Sequence, residues 1–174
     1  MQKTMSTIPE NYWKIIAPLI ATARGFLENG EALSAFAFVG SFSSDMCIPV
    51  LLQSSSIEAK DKSAMDIKTA ADHLDADFIF VLMEAWSLRN DKVLQMDAIL
   101  DKYGSIGASP YAVDIVSMAL ETRHGVWMAE VPIKPKGISK KKRTIGAPEF
   151  RHYTEVAGRF VNLLPMKDGA ATLH

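Results

Sequence analysis

Residues 111–133 carry two apolar runs separated by one tight turn, and this pair constrains the fold more than any other stretch. The first run spans Tyr111 to Arg123. The turn is His124-Gly125, and the second run spans Val126 to Ile133. Glycine supplies the positive φ that a tight hairpin turn requires. A turn at His124-Gly125 predicts that Thr122 faces Trp127, Leu120 faces Ala129, Met118 faces Val131 and Val116 faces Ile133. Arg123, Glu121, Ser117 and Glu130 then share the opposite, polar face. A slip of one residue would exchange the two faces, so the apolar set pins the pairing.

A second run, Phe78-Ile-Phe-Val-Leu-Met-Glu-Ala-Trp86, is apolar at both parities. That pattern predicts a central strand covered on two sides. Upstream, Tyr12, Ile15, Ile16, Leu19, Ile20, Ala23, Phe26 and Leu27 recur at helical spacing. Thr7 to Glu10 has capping-box spacing, Pro18 predicts a kink or break, and Asn29-Gly30 is a stop signal. Residues 32–39 and 46–53 read as an antiparallel strand pair, with Pro49 placing the second at an edge or bulge. Ser55 and Glu58 open a further helix whose buried stripe is Ala64, Ile67, Ala71 and Leu74. Val93, Met96, Ile99 and Leu100 point to a short helix, and residues 104–110 to a loop. Lys134 to Pro148 reads as an exposed basic loop. Residues 148–164 read as a helix, with a last strand over 158–164 as the alternative.

This order predicts an α+β domain over residues 7–164. Helices would pack on one face of a mostly antiparallel sheet of about 4–5 strands. Residues 1–6 and 166–174 are expected to be flexible tails. The chain has 174 residues, enough for a domain with a real core, and a formal net charge of −1. That balance argues against a surface devoted as a whole to nucleic acid or acidic membranes. No apolar stretch approaches the roughly 20 residues that cross a bilayer, so the expectation is a cytoplasmic protein with no membrane partner. The single cysteine, Cys47, excludes an internal disulfide and a cysteine-based zinc site.

Glu84 is the leading candidate for chemistry. In an extended strand it shares a face with Phe78, Phe80, Leu82 and Trp86. A carboxylate among such neighbours is desolvated, which suits a general acid or base. The structural alternative is an ion pair with Arg89 or Arg123, or a bond from a backbone amide. As a catalytic pair, Glu84 and Arg123 would share a pocket bordered by Trp86. Lys134, Lys136, Lys140, Lys141, Lys142 and Arg143 form a basic segment able to hold phosphates. It has no interleaved aromatic, so Lys140 to Arg143 is a secondary nucleic-acid candidate beside its reading as a solvated loop.

The histidines, His73, His124, His152 and His174, show no metal-ligand spacing, and no metal or other cofactor is implied. His73 with Asp72, Asp75 and Asp77 suits a helix end better than a cation site. Cys47 reads as a small core hydrophobe rather than a nucleophile. The serine clusters lack a nucleophile elbow, and Gly104 to Gly107 lacks the lysine of a phosphate loop. Met65, Met83, Met96, Met118 and Met128, with Trp86 and Trp127, are candidates for a recognition surface. Val126 and Met128 on the polar hairpin face would be left for a dimer contact or for the C-terminal element to cover.

The run from Leu74 to Trp86, followed by a loop and then Leu120-Glu-Thr-Arg-His-Gly125, resembles a group of uncharacterised small microbial and phage proteins, a domain of unknown function. In that group an Ala-Asp helix end leads to a strand ending Glu-Ala-Trp, and a later strand enters a tight glycine turn. The resemblance covers residues 56–133. This chain departs from it by a longer insertion at 87–110 and by the basic segment. The resemblance implies a small α+β domain and assigns no catalytic residue. The leading expectation is a non-enzymatic interaction or accessory protein, a homo-oligomer or the binder of a protein partner. The alternatives are a small enzyme using Glu84 and a nucleic-acid binder using residues 134–143.

Overall fold

The computed structural model describes residues 7–165; the expected tails lie outside them. Helix α1 (Glu10–Glu28) is followed by β1 (Phe36–Ser41), β2 (Met46–Leu51) and helix α2 (Ile57–Leu74). Strand β3 (Phe78–Leu88) leads through a 3-10 helix (Asn90–Gln95) into α3 (Met96–Tyr103). Then come β4 (Ala112–Thr122), β5 (Gly125–Pro135), β6 (Arg143–Ile145) and β7 (Arg151–Tyr153). The strands form one seven-stranded sheet in the order β2-β1-β3-β4-β5-β6, with β7 also on β5, and every pairing is antiparallel. The α+β class holds, but the sheet is wider than the expected 4–5 strands. The additional strands are short: β6 and β7 have three residues each, too few to leave an alternating pattern.

The helices do not share one face of the sheet. Ile16, Ile20, Ala23 and Leu27 of α1 pack with Phe78, Phe80, Leu82, Val116, Met118, Leu120 and Trp127. Ile67 and Ala71 of α2 pack with Ala37, Val39, Ile79 and Val81 on the other side. The even and odd residues of β3 therefore serve two cores, as its two-sided apolar pattern requires. Phe78, Phe80 and Ile79 are almost wholly buried. Each large core side chain of this kind contributes roughly 1.5–3 kcal/mol by leaving water.

Several local expectations shift. Pro9, not Thr7, occupies the N-cap of α1, with no side-chain cap bond. The helix continues through Pro18 without a break. The α2 cap is Ser56, whose hydroxyl accepts from Ala59 N at 3.0 Å, one residue beyond Ser55. Strand β1 begins at Phe36 rather than at residue 32. β2 lies at the sheet edge, as Pro49 indicates, and Cys47 is exposed there rather than in the core.

The hairpin keeps the predicted faces but not the predicted register. Leu120 pairs with Trp127, Met118 with Ala129, Val116 with Val131 and Thr122 with Gly125. The partner of each residue moves by two positions, so inside stays inside. Arg123 and His124 form the turn, and Gly125 follows at φ +112°. Thr122 Oγ1 accepts from His124 N at 2.9 Å and donates to Gly125 O at 3.1 Å. These short-range bonds hold the two-residue turn one position earlier than predicted. A Cβ on Gly125 would lie 2.5 Å from His152 Nε2, so β7 requires the glycine as well.

Residues 148–164 form neither the expected helix nor a strand over 158–164. After β7 the chain runs irregularly, and Phe160, Leu163 and Leu164 pack on the α2-side core. Glu121, expected on an open polar face, is consequently only 7% exposed. Burial raises its pKa, while backbone N–H groups of residues 162–164 oppose that shift.

Candidate functional site

The two candidate site residues Glu84 and Arg123 sit at opposite ends of the β3–β4 pair. Phe78 pairs with Thr122 and Glu84 with Val116. Seven residues of β4 therefore separate their positions, roughly 20 Å of extended chain. The proposed pairing of Glu84 with Arg123 is thereby corrected.

Arg123 closes the first end. Its Nη2 donates to Asp77 Oδ1 at 3.0 Å, and Phe42 N donates to Asp77 Oδ2 at 2.7 Å. Tyr12 of α1 lies over this end, with its ring 5.1 Å from Phe42 and 5.9 Å from Phe78. Burial pushes the Tyr12 hydroxyl pKa up. Asp77 is nearly buried with a donor on each oxygen, the Arg123 side chain that meets it is about half exposed, and the pair fastens the end of β4 to the start of β3 below the start of α1.

At the other end the strands outrun the helix. β3 has 11 residues, roughly 36 Å of strand, whereas the 19 residues of α1 span about 28 Å. Leu82 is the last β3 residue in the α1-side core. Glu84 and Trp86 follow on the same face without a helix above them, and Asp114 stands directly across from Trp86. Arg143 arrives from β6, and its Nη2 lies 2.7 Å from Glu84 Oε1. The contact is an ion pair by distance, but the buried Oε1 receives no hydrogen bond of acceptable direction. Glu84, Ala85, Trp86, Asp114, Ile133 and Arg143 line a cleft of about 350 Å3.

Trp86 is 61% exposed, and its six-membered ring abuts Gly107, where a Cβ would come within 2.7 Å of the indole. The glycine thus lets residues 104–110 lie against the ring. Asp114 is exposed and has no ion pair among the described residues.

The basic segment is partly structural. Lys136 Nζ donates to Glu28 Oε2 at 2.9 Å, and Thr144 donates to Glu28 Oε1 at 2.8 Å. These two bonds hold the Glu28 carboxyl pKa below its usual value. Arg24 donates to the carbonyls of Ile145 and Gly146. β6 is thereby tied to the C-terminal half of α1, and Arg143 is aimed at Glu84. Lys140, Lys141 and Lys142 remain exposed at the turn. The expected featureless loop is instead the connection of a short strand pair.

His73, Asp72, Asp75 and Asp77 do not converge, and no group of three or more metal-ligating side chains occurs among the described residues. His124 is a turn residue, and its carbonyl lies 2.7 Å from His152 Nε2. His174 lies outside the described residues. Cys47 is exposed, yet crowding on its thiol side raises its pKa, which disfavours the thiolate. Of the methionine and tryptophan candidates, Met118 and Trp127 are buried, whereas Met65, Met96 and Trp86 are exposed.

Sequence reasoning missed Arg143 as the partner of Glu84 and Asp114 as a neighbour of Trp86. Asp114 could be assigned to the face of β4 that Val116 and Met118 share, but not placed opposite Trp86, because parity does not fix the β3–β4 register. Arg143 lay in a segment without strand periodicity and left no comparable signal. No described helix is long and apolar enough to cross a membrane. No protein-family model, curated protein or solved structure matches this chain.

Proposed function

We propose that the protein is a non-enzymatic interaction protein that self-associates through residues 89–102. One observation carries the reading: large apolar side chains are left in water along this insertion. Val93, Leu94, Met96 and Leu100 are all exposed, Leu94 completely. They are four of the fourteen exposed large hydrophobic residues of the described chain, gathered in eight positions. Helix α3 buries only Ile99 against its own fold. Fully covering Leu94 is worth about 1.5–3 kcal/mol, and the half-covered Val93, Met96 and Leu100 add smaller amounts, together a drive to find a partner.

A second copy fits this surface better than a strongly charged macromolecule. Arg89, Lys92 and Lys102 are balanced by Asp91, Asp97 and Asp101 within the same segment. A surface with equal numbers of both signs can be its own complement across a two-fold axis. The Glu84 and nucleic-acid readings are less well supported. Glu84 faces an arginine, and Lys136 and Arg143 are engaged in ion pairs within the fold.

Light scattering across a concentration series tests the proposal. The wild type is expected at a multiple of the 19.1 kDa chain mass, and a Val93→Asp/Leu94→Asp double variant at the single-chain mass. Both side chains are exposed, so the variant should keep the wild-type circular dichroism. A wild-type protein that stays at single-chain mass throughout would overturn self-association. Mass gained only with an added oligonucleotide pool at low salt would transfer the role to Lys140, Lys141 and Lys142.

A further inference from the structure

We infer that the cleft at the helix-free end of β3 and β4 binds a small organic cation bearing N–H donors. Four features of the site converge on that ligand class. The lining carries two carboxylates, Glu84 and Asp114, against one guanidinium, so its charge sum is negative. Arg143 lies against Glu84, which leaves Asp114 without a cation of the fold. Glu84 Oε1 is a buried acceptor with no well-directed donor. Trp86 offers an exposed indole beside Asp114, and an aromatic face next to a carboxylate is a recurrent recognition pattern for ammonium and guanidinium groups.

The space fits a small molecule. About 350 Å3 lies at the lower end of ligand-pocket sizes. Ala85 and Ile133 add apolar wall for a short hydrocarbon or aromatic body. A bare metal ion is poorly served, since no three metal-ligating side chains meet among the described residues. The arrangement is rigid by construction. Asp114 and Trp86 are cross-strand partners in the longest strand pair, and Gly107 backs the indole. The inference does not rest on self-association, because Glu84, Trp86 and Asp114 all lie outside residues 89–102.

Isothermal titration of the full chain with 2-phenylethylammonium, and with 2-phenylethanol as its neutral counterpart, tests the assignment. Saturable binding of the ammonium and none of the alcohol is expected. Asp114→Asn, at an exposed position, should keep the fold and weaken binding by about tenfold. The indole N–H resonance of Trp86, identified by its loss in Trp86→Phe, should shift on titration. Three results would overturn the inference: no saturable heat with the ammonium at millimolar concentration, equal binding of the alcohol, or unchanged affinity in Asp114→Asn. A Trp86 resonance that stays still while heat saturates would place binding elsewhere and overturn it too.

Discussion

The β3–β4 pair carries one carboxylate–arginine contact at its covered end and another past its midpoint, where its open end begins, and the two contacts are built differently. At one end Asp77, with its side chain 10% exposed, is held by Arg123 and by the Phe42 amide under the start of α1. At the other, Glu84 and Arg143 are each about one-third exposed, the geometry is poor for a hydrogen bond, and a cleft opens beside them. The difference follows from length. A helix of 19 residues cannot cover 11 residues of strand from end to end. Where it covers, the carboxylate is nearly buried and both of its oxygens have donors. Where it falls short, polar groups are left partly wet and able to meet a ligand.

The comparison can be broken most severely at the covered end. Phe78→Ala should cost about 3–5 kcal/mol in urea denaturation, because Phe78 is fully buried beneath Tyr12 and Phe42. Asp77→Ala should cost about 1–3 kcal/mol, chiefly by leaving the Phe42 N–H without its acceptor. At the open end Glu84→Gln should change stability by no more than about 1 kcal/mol, since both side chains are about one-third exposed and the contact is poorly directed. If Glu84→Gln proves as damaging as Asp77→Ala, the contrast between the ends is wrong.

Glu121 sharpens the argument with pH. Its pKa is raised in the fold, so the proton is bound more tightly there than in the unfolded chain. The associated stability is fully present below the ordinary glutamate value of 4.5 and is lost as pH rises through the folded value. Glu121→Gln should therefore be more stable than wild type at neutral pH, with the advantage vanishing in acid. Thermal melts at several pH values measure it. Smallest of all, Lys141→Gln should shift stability by less than about 0.5 kcal/mol, as expected for an exposed turn residue.

What was legible in the sequence was parity. The two-sided apolar run of β3 and the inward set Val116, Met118 and Leu120 are visible because strand faces alternate with period two. Register was not legible, because a shift of two positions preserves every face. The choice rested on Thr122 bonding across the turn. The burial of Glu121 was invisible for another reason. It depends on an irregular segment some 40 residues later, which has no periodicity to announce that it packs. The candidate site was legible by halves. Glu84 and Trp86 could be singled out on one strand, but Arg143 comes from a three-residue strand after a lysine-rich turn, where composition suggested solvent.

The division of β5 between two short strands bears on how copies of the chain can add to one another. Its outer edge is met by β7 near the turn and by β6 near its far end, so the long free edge among the described residues is that of β2. A sheet open at both sides can grow into a filament by repeated edge addition. Here addition through β2 would finish with two chains. Pro49, which lacks an N–H, weakens even that template. The architecture is thus guarded against runaway cross-chain strand pairing even with apolar side chains standing in water.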